Sequence, residues 1–162
     1  FQGDARCFGL CPVFDAVVCM FDSLNHLLSA DELGAAFKSV YHCLVPGGVF
    51  LFDLNTEVGY LRHWKGAQRM TSGEFDVRTQ STYYRRRRLG VFRAHIDYRG
   101  GDEVGARDIE LWQRCHEPSE VLAALSDAGF AGVEAYGLEG DALVPDWIED
   151  SERVFYLCGR PE

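Results

Sequence analysis

The sequence is poor in positive charge. Its 162 residues carry 16 lysines and arginines against 25 aspartates and glutamates, a net charge of −9. Nucleic acid is thereby excluded as the main partner, because a phosphate backbone calls for a basic footprint. Anionic membrane surfaces are excluded on the same ground. Long apolar runs are also lacking. The longest, Ala16–Phe21 and Val49–Phe52, are strand-sized, far below the ~20 residues that span a bilayer. The chain opens Phe1-Gln2-Gly3-Asp4, without Met and without the basic and apolar stretches of a signal peptide, so a fragment or a processed chain is expected. The six cysteines, at 7, 11, 19, 43, 115 and 158, include no Cys-x-x-Cys pair, which argues against zinc. A chain of this size needs no disulfide staples. With Cys19, Cys43 and Cys158 inside apolar segments, reduced and buried thiols of a cytoplasmic protein are expected. Repeats, low-complexity tracts, Gly-x-Gly turns, Ser-His-Asp spacing and His-x-x-x-His are all missing, so hydrolase or metal chemistry has no support.

What is present fills one compact domain, with 47% apolar and 13% aromatic residues. Phe14–Phe21 is a continuous apolar run, predicted as a strand buried on both faces. A loop, Asp22–Leu28, follows. Ser29 and Glu32 then form a capping box, and Leu33, Ala36, Phe37, Val40, Tyr41 and Leu44 keep the 3-4-3 spacing of a helical face. Pro46-Gly47-Gly48 stops that helix, and Val49–Leu54 is a second buried strand. This is a βαβ unit, for which a right-handed crossover is expected. Asn55 or Thr56 caps a short helix reaching about Trp64.

The period then changes to two. Phe75–Arg85, Leu89–Arg99 and Arg107–Glu117 read as a three-stranded antiparallel meander, with turns near Arg86–Gly90 and at Gly100-Gly101-Asp102. Pro118 starts a helix whose inward residues are Val121, Leu122, Leu125 and Ala128, and Gly129 ends it. Strands at Gly132–Leu138 and Arg153–Gly159 follow. They flank an acidic loop, Glu139–Glu152, with Trp147 and Ile148 as anchors.

Open α/β sheets bind ligands at the carboxyl ends of their strands, here Met20–Asn25 and Asp53–Thr56. Asp22, Ser23 and Asn25 suit a ligand there, or an Asx turn with a satisfied amide. Asp53 lies inside an apolar run and must find hydrogen bonds or a positive partner. Arg85–Arg88 reads as a solvated loop tip, with an anionic ligand as the sharper alternative. Tyr83, Tyr84, Phe92, Tyr98 and Trp112 read as one face of the meander packing on the sheet, with a pocket wall as the other option.

FDAVVCMFDSLNHL, the amphipathic helix, LVPGGVFLFDLNT, RCHEPSEVLAALSDAGF and RVFYLCGR together resemble class I S-adenosylmethionine-dependent methyltransferases. The resemblance is to small-molecule enzymes with a meander between their fifth and sixth strands. It implies an α/β, partly Rossmann-like sheet, mostly parallel with an antiparallel terminal strand. It also implies a single domain over 1–162, with a meander insertion at 70–117 as lid or pocket wall. It implies S-adenosylmethionine as cofactor, held by Asp4 and Ala5 at the adenine and by Cys19, Met20 and Phe21 at the end of the fourth strand. Ser23, Asn25, Asp53, Asn55, Tyr84, Trp112 and Arg114 are implied for the substrate, and His116 and Asp22 for proton transfer. The implied reaction moves a methyl to N or O of a small molecule. Sulfonium is a good leaving group, so orientation and desolvation are the main requirement. The first strand and the Gly-rich loop of such enzymes have no counterpart here, and half of the cofactor site is expected to be lacking. A regulatory or interaction domain of the same fold is the alternative, and a nucleotide-dependent dehydrogenase a third. Without those strands Phe14–Phe21 becomes an exposed apolar edge, a route to homodimers.

Overall fold

The apolar run after Pro12 forms β1 (Phe14–Cys19), and the run after Gly48 lies in β2 (Leu44–Asn55). They pair in parallel, Val17 beside Phe50 and Cys19 beside Phe52, and α1 (Ala30–Cys43) joins them. The computed structural model of the chain describes residues 2–100, 103–139, 142–145 and 150–162. Ser29 caps α1 by accepting from the Glu32 N–H, while the Glu32 carboxylate reaches past the cap to the Leu28 N–H. Leu33, Ala36, Phe37 and Val40 are buried, as one helical face requires. Pro46, Gly47 and Gly48 belong to β2 rather than to a separate turn. Gly47 adopts φ +80, and the pairing jumps from Phe14–Leu44 to Ala16–Val49, so these residues loop out as an irregularity in the ladder.

Thr56 caps α2 (Glu57–His63). α3 (Pro118–Ala128) starts with Pro and a reciprocal Glu117–Glu120 box, and ends at Gly129 with φ +100. Its buried face is Val121, Ala124, Leu125 and Ala128. Leu122, expected inside, is exposed, because it lies one step round the helix from that stripe. β7 (Ala131–Glu139), β8 (Ala142–Pro145) and β9 (Arg153–Gly159) complete a five-stranded sheet of order β1-β2-β9-β7-β8. Its β2, β9 and β7 face packs Phe50, Phe52, Leu54, Val154, Tyr156 and Cys158 against α1 and α3. Phe50, Phe52 and Tyr156 stack in series at 4.8 and 5.1 Å.

Three expectations need correction. Among the described residues the sheet is not mostly parallel by neighbour, since only β1 and β2 pair in parallel. β9 runs antiparallel to both β2 and β7 and lies between them, and β8 is antiparallel to β7. β1 is not buried on both faces. It is the sheet edge, and Val18 is 60% exposed. Cys7 and Cys11 are exposed, not buried.

The second sheet has four strands rather than three: β3 (Lys65–Ser72), β4 (Phe75–Tyr84), β5 (Leu89–Gly100) and β6 (Glu103–Arg114), all antiparallel. Every residue of β3 is exposed. The aromatic strip divides between two faces. Tyr83, Phe92 and Tyr98 share the face of Ser81 and Phe75, whereas Tyr84 and Trp112 share that of Thr82 and Val91. Tyr83 alone of them stacks on α2, 4.9 Å from the Tyr60 ring. Gly90 permits that approach, because a Cβ there would stand 2.7 Å from the Trp64 ring. The Arg85–Arg88 turn is only half solvated. Arg85 pairs with Glu57, and Arg88 pairs with Glu117 and donates to the Cys115 carbonyl. The expected turn residues Gly101 and Asp102 and the anchors Trp147 and Ile148 lie outside the described residues. No described helix is long and apolar enough to cross a membrane.

Candidate active site

The carboxyl ends of β1 and β2 lie side by side. Phe21 and Asp22, just beyond β1, have φ of 62 and 51, a left-handed conformation costing about 1 kcal/mol or more for a residue with a Cβ. The bend aims the Asp22 N–H at Asp53 Oδ2, 3.0 Å away. Asp53 is fully buried. Arg153 starts β9 opposite Asn55 and spans both carboxylates, with Nη1 at 2.8 Å from Asp53 Oδ2 and Nη2 at 3.0 Å from Asp22 Oδ1. Gln113 of β6 donates to Asp22 Oδ2 at 2.6 Å and accepts from the Tyr60 hydroxyl at 2.9 Å. Burial pushes the Tyr60 phenol far up, so it remains a neutral donor. Two carboxylates against one guanidinium leave this knot negative, and Asp53 Oδ1 has no partner among the described residues.

A cavity of about 640 Å³ opens beside it, lined by Asp22, Asn55, Gly59, Trp64, Asp150 and Arg153, with Arg62, His63 and Glu152 at its side. Glu152 accepts from Arg62 and His63, both at 2.7 Å, and these bonds hold its carboxyl below the usual range. Such a pocket is polar, acidic and walled on one side by an indole, a setting that suits a small cation.

Comparison with known proteins bears on the fold. No family model matches the chain. Over 150 residues, 91% of the chain, it is 28% identical to a Geobacillus sp. (strain WCH70) protein provisionally named a methyltransferase, and it covers 59% of that protein. Over 52 residues, 32% of the chain, it is 48% identical to the dTDP-3-amino-3,4,6-trideoxy-alpha-D-glucopyranose N,N-dimethyltransferase of Streptomyces venezuelae, covering 22% of it. A solved S-adenosylmethionine-dependent methyltransferase from Clostridium acetobutylicum ATCC 824 superposes with a TM-score of 0.79 at 21% identity, over 99% of this chain and 63% of that one. The chain shares the fold of that methyltransferase. It spans less than two thirds of the length of these relatives.

Within this methyltransferase fold the residues singled out from sequence fall into two groups. Asp22, Asn55 and the buried Asp53 come together at the strand ends. Asn25 is buried and fully engaged, its Oδ1 accepting from the Asn55 N–H at 2.9 Å and its Nδ2 donating to the Arg114 carbonyl at 2.8 Å. It fastens the loop rather than facing the cavity. Ser23 is exposed and donates to the Met20 carbonyl. His116 lines a neighbouring cavity of about 420 Å³ that shares Asn55. Its Nε2 lies 2.9 Å from the Leu27 carbonyl, and Nδ1 is buried without a partner among the described residues. Burial holds its pKa below the ordinary imidazole value. Arg114 pairs with Glu120, the Trp112 indole donates to Glu110, and Tyr84 is exposed. None of these three lines the cavity at Asp22.

The cofactor residues are likewise divided. Cys19 is half-buried, and burial together with the Asp53 charge raises its thiol pKa. Met20 is half-buried and Phe21 is 83% exposed at the tip of β1. Asp4 is exposed, and its bonds from Arg6 hold its carboxyl at about 2. Neither Asp4 nor Ala5 lines the cavity at Asp22. Arg153, Gln113, Tyr60 and Trp64 were not singled out. The one signal for Arg153 was the demand of Asp53 for a positive partner.

Proposed function

We propose that the chain serves S-adenosylmethionine-dependent transfer of a methyl group to the nitrogen of a small molecule, of the amino-sugar class. The observation that carries this reading is the cavity at the ends of β1 and β2, where Asp22 and Asn55 meet under a net negative charge. An amine acceptor fits it by charge. The named Streptomyces venezuelae relative is an amino-sugar N,N-dimethyltransferase, which supports nitrogen over oxygen.

The residues present fit the cofactor. A sulfonium is a cation in an apolar skirt, and the tip of β1 offers apolar Met20 and Phe21 beside the Asp22–Asp53 pair. Cys19, Met20 and Phe21 would hold it there, with Asp4 and Ala5 at the adenine. When bound, it supplies an activated methyl group. The chain does the rest. Asp22 holds the acceptor ammonium and takes the proton that the nitrogen sheds. Asn55 and Trp64 orient the acceptor and exclude water. The second sheet, 70–117 as read from sequence and Lys65–Arg114 as folded, reaches the site through Gln113, which holds Asp22 from behind the cavity. Ser23, Tyr84, Trp112, Arg114 and His116 are left to parts of a larger acceptor beyond this cavity.

The test is a transfer assay with the gene-encoded polypeptide, labelled cofactor and a dTDP-linked amino sugar. Wild type transfers label to nitrogen, and Asp22→Asn loses about 100-fold in kcat, the usual worth of a positioned proton acceptor. Unchanged kcat in Asp22→Asn overturns the assignment of Asp22. No calorimetric heat at millimolar cofactor would favour a non-catalytic domain of the same fold. A homodimer through the β1 edge is part of the proposal, and a monomeric sedimentation mass at micromolar concentration counts against it.

A further inference from the structure

We propose that Arg153 is a positioning residue for methyl transfer, fixing the Asp22 carboxylate at the acceptor cavity by bridging it to the buried Asp53. The inference rests on the methyl-transfer reading above and extends it to a residue at the cavity wall whose bonds go to Asp22 and Asp53.

The geometry is over-determined around one carboxylate. Asp22 and its neighbour Phe21 both occupy left-handed backbone, which a loop of side-chain-bearing residues abandons unless its surroundings hold it. Three bonds do so. The Asp22 N–H donates to Asp53 Oδ2, Arg153 Nη2 donates to Asp22 Oδ1, and Gln113 Nε2 donates to Asp22 Oδ2. Arg153 Nη1 closes the loop on Asp53 Oδ2 at 2.8 Å. Without the guanidinium, Asp22 Oδ1 loses the donor that holds it against its left-handed backbone strain, so the side chain turns away, and with Asp53 ionised the repulsion of two carboxylates adds to this. A rigid planar fork meets two carboxylates in fixed orientation, which a lysine ammonium cannot reproduce.

Asp53 does not serve the acceptor directly. It is wholly buried, and it lines neither the cavity at Asp22 nor the one beside it. Its place is that of an anchor. Arg153 therefore connects an anchor on β2 to a working carboxylate beyond β1, from the strand that pairs with β2. Removing it lowers kcat far more than it raises the cofactor KM, because its bonds go to Asp22 and Asp53 and none goes to Cys19, Met20 or Phe21.

Arg153→Met alone strands a buried charge and can cost the fold, so the decisive variant is Arg153→Met/Asp53→Asn, compared with Asp53→Asn alone. The asparagine keeps an oxygen for the Asp22 N–H and removes the stranded charge. The double variant is expected to melt near Asp53→Asn yet to show kcat about 100-fold lower than it, the scale of a misplaced reacting group. Its cofactor KM should change far less than its kcat, and added guanidinium ion should recover part of the rate. Arg153→Lys should fall between. Equal kcat in the double variant and in Asp53→Asn overturns the proposal. A crystal structure of the double variant tests it without any activity. Asp22 turned out of the cavity supports the inference, and Asp22 in place with φ still near 51 sinks it. A wild-type protein that transfers no methyl at all would instead sink the function proposed above.

Discussion

The buried amide of Asn25 separates a fastening role from a binding one. Its side chain is fully buried and both of its polar ends are used, on the Asn55 N–H and the Arg114 carbonyl. Asn25→Ala leaves a buried donor and a buried acceptor unpaired, at about 2–3 kcal/mol in total. Chemical denaturation should show that loss. A rise in acceptor KM with unchanged stability would mean that Asn25 meets the acceptor instead. The same logic explains what could be read at this scale. Asp22 and Asn55 were legible because each follows an apolar run directly, and a strand end is where a polar residue is free to serve a ligand. Asn25 was legible as a special residue, but not which way it faced. Arg153 and Gln113 were not legible as members of the site. Their roles depend on Asn55 pairing with Arg153 and on β6 ending beside Tyr60, and no local pattern records such a register.

Short α2 is shaped by what its glycine lacks. Gly59 lies inside the helix and lines the cavity. Alanine there would favour an isolated helix by about 1 kcal/mol. Here a Cβ would overlap the backbone oxygen of Glu152, and backbone cannot rotate away. The clash outweighs the propensity gain, so Gly59→Ala is expected to destabilise the protein by about 1–3 kcal/mol. It should also raise acceptor KM, because Glu152 carries the Arg62 and His63 side of the cavity. A variant with a raised melting point would show that the segment at Glu152 yields freely. Legibility followed packing at this scale too. α1, α3 and β9 press an apolar face onto the core, and their sequence periods gave them away. β3 was missed because it has no such face: Lys65–Ser72 is exposed throughout and held by its ladder with β4. β8 pairs with β7 alone, and its four residues are too few to show a period. The run of β1 by itself reads as buried on both faces, since an apolar run tells what a strand can bury, not what lies beside it; its place at the sheet edge followed only from the resemblance, whose first strands have no counterpart here.

For the whole molecule, two sets of groups set the response to acid, and they act in different windows. His116 is buried, and its pKa is held below the ordinary 6.5 by loss of solvation. The unfolded chain therefore binds the extra proton first as pH falls. Its contribution to stability is complete above 6.5 and drains away below it. Glu57 and Glu120 are held below their ordinary 4.5, Glu57 mainly by Arg85 and Glu120 by the Glu117 N–H and Arg114 against its own burial. What they contribute is present above 4.5 and is lost as pH falls through their folded values. His95 has the opposite sign, since Asp108 raises its pKa, so its contribution is present below 6.5 and lost as pH rises. That pair lies on the surface, where salt screens it. The net charge of −9 falls toward zero near pH 5.0, which relieves self-repulsion and partly masks the first loss. The melting temperature measured from pH 8 to 3 in 0.5 M salt, where that relief is screened, should begin to fall near 6.5 and steepen below 4.5. His116→Gln, which keeps a donor for the Leu27 carbonyl, should remove the first step and leave the second. A wild-type curve flat between pH 7 and 5, or the same step surviving in the variant, would mean that the buried imidazole takes up its proton without opening the fold.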